Sequence, residues 1–145
     1  MPYQTINRVI VARDGDIADF HAENDIAVLV GKSGEARTGT QGISVAGAGG
    51  RAHSTRYGVA IVGPGAGGLA TGGAGVVAYA SDGAAASGGD GAIACAARDG
   101  PASVGSAGLA SVLDGVATGA NQAVVVARRQ NGAATATTGQ RGVAV

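Results

Sequence analysis

The chain has 145 residues, ten Lys and Arg against ten Asp and Glu, and 46% hydrophobic residues, yet it holds one phenylalanine, no tryptophan and 28 glycines. One domain fits that length, but side chains this small exclude a core of Leu, Ile and Phe at helical spacing. Balanced charge removes the basic footprint of a nucleic-acid or acidic-membrane binder, and 14% charge is too little for a solvated disordered chain.

The opening Met1-Pro2-Tyr3-Gln4 lacks the basic and apolar regions of a secretory leader, and no apolar run reaches membrane-spanning length. The expected location is cytoplasmic, with a signal-independent export route still open. Residues 1–24, including the charged stretch from Asp14 with Ile17 and Phe20, read as an irregular capping coil. Residues 25–145 read as the regular coils of a single domain.

From there a glycine beat sets in. Gly42, Gly58, Gly75, Gly91 and Gly108 each precede small or β-branched residues, at steps of 16 or 17 (58−42 = 16, 75−58 = 17). A second set, Gly34, Gly50, Gly67, Gly83, Gly100 and Gly115, sits midway, with Asp or Asn before many of the mid-coil glycines (Asp82, Asp99, Asp114, Asn131). Such punctuation supplies corners with positive φ. A fixed period of this length predicts stacked coils. The expected fold is all-β: a parallel β-solenoid, flattened into a two-sheet roll of seven to eight coils with 16–17 residues each.

Counting in and out from the corner glycine, with strand alternation, places Val59/Ile61, Val76/Ala78, Leu109/Ser111 and Val124/Val126 inward on the first sheet. The same count turns Leu29, Val62, Val77, Tyr79, Ile93, Cys95, Val112 and Val125 outward as an apolar stripe. On the second sheet Glu35, Arg37, Arg51 and His53 face out, with Leu69/Thr71 and Ala85/Ser87 inward. Between residues 58 and 97 the only charges are Asp82 and Asp90. The last strand ends on Val143 and Val145, an open parallel edge suited to end-to-end pairing.

The octad beat of Ala, Thr and Ser, as in Gly83-Ala84-Ala85-Ala86-Ser87-Gly88-Gly89-Asp90 and Gly115-Val116-Ala117-Thr118-Gly119-Ala120-Asn121, resembles bacterial Ala/Gly/Thr-rich octad-repeat proteins. The likeness runs over roughly residues 25 to 142. More distantly, the chain resembles the β-roll heads of trimeric autotransporter adhesins. The resemblance implies a β-roll and no catalytic residues. The chain departs from the octad pattern in its more apolar outward positions and in lacking a charged C-terminal cap.

Motifs with chemistry are few. Gly63-Pro64-Gly65-Ala66-Gly67-Gly68 matches G-x-G-x-x-G, but Leu69-Ala70-Thr71 follows as a strand where a dinucleotide site needs a helix. Gly31-Lys32-Ser33 ends like a phosphate loop without its first glycine. The series Asp82, Asp99 and Asp114 would stack as a ladder able to hold Ca²⁺, yet the calcium-roll repeat is missing and each carboxylate has its own turn to cap. His21, His53 and Cys95 are too few and too scattered for zinc, and one cysteine makes no internal disulfide. No arrangement of serine, histidine and aspartate is fixed.

The sequence therefore predicts a non-enzymatic structural protein, without cofactor or metal, that self-associates through its apolar stripe. It predicts no nucleic-acid or membrane partner. An alternative is an immunity-type inhibitor of a bacterial toxin, docking through Glu35, Arg37, Arg51, His53 and Arg56. A further alternative is ice binding, for which outward threonines (Thr118, Thr135, Thr137) look sparse.

Overall fold

The computed structural model describes residues 9–12, 17–19, 26–29, 32–65 and 67–145. Every described element is a strand, and alternate strands go to alternate sheets. The first sheet holds nine: β1 (Val9–Ala12), β3 (Ile26–Leu29), β5 (Ile43–Ala46), β7 (Val59–Val62), β9 (Val77–Ala80), β11 (Ile93–Ala96), β13 (Leu109–Leu113), β15 (Val124–Arg128) and β17 (Val143–Ala144). The second holds eight: β2 (Ile17–Asp19), β4 (Glu35–Thr38), β6 (Arg51–Ser54), β8 (Leu69–Gly72), β10 (Ala85–Gly88), β12 (Ala102–Val104), β14 (Val116–Gly119) and β16 (Thr135–Thr138).

All ladders are parallel and each strand pairs with the one a full turn away, so the chain is a β-solenoid of about seven coils. β1 and β2, which fall in the stretch set apart in sequence as a cap, join these same ladders by pairing with β3 and β4.

Coil length is less even than the glycine beat. Ile43, Val59, Val77, Ile93, Leu109, Val124 and Val143 form one column, with steps from 15 (124−109) to 19 (143−124) residues. The even beat conceals this because its glycines occupy two different positions. Gly75 and Gly91 sit at the corner with φ of 68° and 66°, where a Cβ is disfavoured. Gly42, Gly58, Gly108 and Gly142 stand one position later, level with Val76 and Ala92. The corner residue before each of these four carries the positive φ itself: Gln41, Tyr57, Ala107 and Arg141.

The later position has a different constraint. A Cβ on Gly58 would overlap the Ser54 hydroxyl and the Gly42 carbonyl oxygen, and one on Gly108 would lie 2.7 Å from Val104 Cβ. Where that position instead carries a side chain, the residue four places earlier is glycine. A Cβ on Gly72 would run into Val76, one on Gly88 into Ala92 and one on Gly119 into Ala123. Each corner thus has room for one side chain across the pair n and n+4, contributed by Ser54, Val76, Ala92, Val104, Ala123 or Thr138.

The interior is lined by alanine. Ala27, Ala36, Ala52, Ala60, Ala70, Ala78, Ala94, Ala102, Ala110 and Ala117 are fully buried, with Val62, Val76 and Val125 the largest apolar side chains among the fully buried ones. Where coils carry buried hydroxyls, these are bonded: Thr38 Oγ1 lies 2.8 Å from Ser44 Oγ, which donates to the His53 carbonyl, and Ser54 Oγ donates to the Gly42 carbonyl. A buried polar group without such a partner costs on the order of 1–3 kcal/mol.

Candidate functional site

The two positions of the beat glycines overturn part of the expected in/out phase. Only after Gly75 and Gly91 is the first residue buried; elsewhere the glycine itself holds the inward position and the next residue faces out. Val62, Val112 and Val125, expected on the outer stripe, are core residues at 0, 3 and 0% exposure. Val59, Ile61, Leu109, Ser111, Val124 and Val126, expected inside, belong to the outer face. On the second sheet Leu69/Thr71 and Ala85/Ser87 turn outward, and Ala70, Ala84 and Ala86 are the buried residues. Val77, Tyr79, Ile93 and Cys95 lie on the outer face as expected. Leu29 lies in β3, but its side chain is outside the described residues.

The outer face of the first sheet is consequently richer in bulk than the interior beneath it. One rank runs Ile43, Val59, Val77, Ile93, Leu109, Val124. The other runs Val45, Ile61, Tyr79, Cys95, Ser111, Val126. Val77, Tyr79 and Ile93 at its middle are 40, 42 and 39% exposed, and neither rank carries a charge. A solvated sheet face alternates apolar inward with polar outward; here both sides of the sheet are apolar and the larger side chains are outside. Partial burial among its neighbours raises the Cys95 thiol above its ordinary pKa. Such a thiol packs rather than reacts.

The end-edge residues Val143 and Val145 extend this face. β17 pairs with β15 on one side, and Val145 N–H donates to the Val125 carbonyl.

The charged cluster is on the opposite sheet. Glu35 and Arg51 are ladder partners, as are Arg37 and His53, and together with Thr38 and Thr55 most of them line an open depression of about 330 Å³. Arg37 Nη2 donates to Glu35 Oε2 at 2.7 Å, and His53 Nδ1 lies 2.8 Å from Thr71 Oγ1. The Arg37 hydrogen bond, with Arg51 and His53 nearby, holds the Glu35 carboxyl below its usual range. Arg56 stands at the adjoining corner, exposed.

Of the aspartate series, Asp114 has a defined task. Its carboxylate accepts from Gln130, Asn131 and Gly132 backbone N–H groups at 2.6 to 3.0 Å, fastening the corner of the next coil. These bonds hold its pKa below the ordinary carboxylate value. Asp90 and Asn121 do the same once each, for Ser106 and Gln140. Among the described residues no group of three or more His, Cys, Asp or Glu comes together around a metal-sized space.

A carboxyl with a depressed folded pKa contributes stability that is present above the unfolded pKa and lost as pH falls through the folded one. The gap in stability between the wild type and Asp114→Asn is therefore largest near neutral pH and shrinks below about pH 4. Urea titrations at several pH values measure it; a gap independent of pH would refute the ionic origin.

No protein-family model matches the chain, and neither a curated protein nor a solved structure matches it. No helix of the described residues is long and apolar enough to cross a membrane.

Proposed function

We propose that this chain is a structural β-solenoid, of the kind its octad-repeat resemblance implied, that binds a second copy of itself through the outer face of the nine-stranded sheet. The inversion of side-chain size carries the reading: alanines fill the interior while Ile43, Val77, Ile93, Leu109 and Val124 face out. From β5 to β17, seven strands at about 4.8 Å give a face about 30 Å long. Its two ranks amount to several hundred Å², near the ~800 Å² that each partner of a standard interface contributes. Contiguous apolar patches of several hundred Å² on soluble chains are often interaction sites. An uncharged, evenly pleated face fits its own copy because two sheets of equal twist pack aligned, about 10 Å apart, with no like charges opposed.

Sedimentation velocity tests this. Wild type is expected as an oligomer at micromolar concentration, and Val77→Asp with Ile93→Asp as a folded monomer of unchanged far-UV spectrum. A wild type that stays monomeric at the highest soluble concentration would overturn the reading.

A second reading gains from the revised phase of the second sheet. Thr71, Ser87, Ser103, Thr118 and Thr137 form one outward hydroxyl rank, longer than the sequence suggested, beside Leu69, Ala85, Val116 and Thr135. Such a level, uncharged lattice of hydroxyl and methyl groups supports ice binding. Thermal hysteresis of a dilute solution is the expected result, and none at any concentration removes the idea. The inhibitor reading has no such gain, since Glu35, Arg37 and His53 bond to neighbours on their own sheet.

A further inference from the structure

We propose that Asn131-Gly132 is a site of spontaneous deamidation that the Asp114 carboxylate holds closed. Of the four asparagines this is the one followed by glycine, and such a pair cyclises readily because the second residue has no side chain to hinder it. The nitrogen of residue 132, once its proton has gone to hydroxide, attacks the side-chain carbonyl carbon of Asn131. A carbon–nitrogen bond forms, ammonia leaves and a five-membered succinimide results. Water then opens the ring at the side-chain carbonyl to give aspartate, or at the main-chain carbonyl to give isoaspartate.

Glycine stands at 132 for space rather than for backbone angle. It is not one of the glycines with positive φ, but a Cβ there would lie 3.2 Å from Asp114 Cβ and 3.5 Å from its Cγ. The missing side chain lets the backbone approach the carboxylate closely. The contact that calls for glycine therefore creates the labile pair, and the same carboxylate restrains it. Asp114 Oδ1 accepts the Gly132 N–H at 2.9 Å, with the Asn131 and Gln130 N–H groups on the same oxygen at 3.0 and 2.6 Å.

The proton that must leave is thus the one donated to Asp114, and the nitrogen anion left behind would face a charge of the same sign. Asp114 is too weak a base to take that proton, since its hydrogen bonds hold its pKa below the ordinary carboxylate value. Elsewhere the stack ties up the equivalent nitrogens through its main chain. Gly83 and Gly91, which follow Asp82 and Asp90, donate to the Arg98 and Ser106 carbonyls at 2.7 and 2.9 Å. At Gly132 a side chain from the preceding coil does this instead.

Conversion to isoaspartate does not reverse the damage. The main chain then runs through the former side chain, longer by one methylene, and residue 131 carries a carboxylate beside Asp114. Length and charge both oppose the bonds that prevented the reaction. The corner between β15 and β16 accordingly has a fastened state and a permanently released one.

The test follows amide loss at Asn131 by mass spectrometry of the tryptic peptide 130–141, in folded protein kept in mildly alkaline buffer. Asp114→Ala is expected to convert roughly tenfold faster than wild type or more, the factor that one charge-assisted hydrogen bond represents. Asp90→Ala removes the comparable bond to the Ser106 N–H and is expected to leave Asn131 at the wild-type rate. If Asp114→Ala does not fold, Asp114→Asn serves in its place, because its own new Asn-Gly pair falls in a different tryptic peptide. An Asp114 variant that converts no faster than wild type overturns the proposal. An equal acceleration in Asp90→Ala also overturns it, by tracing the effect to general loosening of the fold.

Discussion

Gly72→Ser should destabilise the fold by more than about 3 kcal/mol, and Val76→Gly added to it should restore most of the loss. The new Cβ at residue 72 would meet Val76 Cγ1, Cβ and Cγ2 well inside van der Waals contact, and overpacking of an interior with no slack costs at least a few kcal/mol. Val76→Gly alone empties a fully buried site, a loss of about 2–4 kcal/mol from cavity formation and backbone freedom. Together the two changes reproduce the Ser54/Gly58 pair one coil further on, where the same space is filled from the other end. Thermal melts of the four proteins form a double-mutant cycle. The single Gly72→Ser change is expected to lower Tm by roughly 10 °C, and the pair to return within about 4 °C of wild type. If the two losses simply add, the shared-space account of the corners is wrong.

Val125→Asp and Val124→Asp differ by one position along β15 and should differ wholly in outcome. Val125 is 0% exposed and Val124 is 42% exposed. A carboxylate in the alanine-lined interior has no described cation beside it, and a buried charge without a partner costs several kcal/mol, comparable with the whole stability of a domain this size. Val125→Asp is expected to be unfolded or insoluble at 37 °C. Val124→Asp is expected to keep the wild-type far-UV spectrum and melt, while weakening self-association. The reverse ranking is what the glycine-counted phase would demand, so far-UV spectra of the two proteins decide between them.

That contrast shows how far the sequence reached. The period, the parallel coils, the two sheets and the middle of the apolar stripe at Val77, Tyr79, Ile93 and Cys95 were all legible, because strand alternation and stacking follow from spacing alone. The phase of the remaining first-sheet strands was not, nor was that of β8 and β10, whereas β4, β6 and β12 face as expected. Glycine serves two physical purposes at adjacent positions, positive φ at Gly75 and Gly91 and absence of a Cβ at Gly58 and Gly108, and one letter records both. The signal that separates them was present: the n, n+4 exclusion at Gly72/Val76 and Gly88/Ala92 marks which position is inside. Reading pairs four apart would have placed Thr71 and Ser87 outward. The Asp114 latch was half legible, as an aspartate before a glycine, but the three N–H groups it holds belong to a coil 16 to 18 residues later.

An interior built from methyl groups has a thermodynamic signature as well as a shape. Heat-capacity change on unfolding scales with the apolar surface exposed, less the polar surface exposed with it. Each coil of this chain hides mostly alanine methyls beneath two rows of peptide groups, so one isolated copy should have a small heat-capacity increment for its length. Its stability would then vary little with temperature, resisting cold as well as warmth. Steep temperature dependence would enter with the pairing of the outer faces, where the isoleucines, leucine and valines leave water.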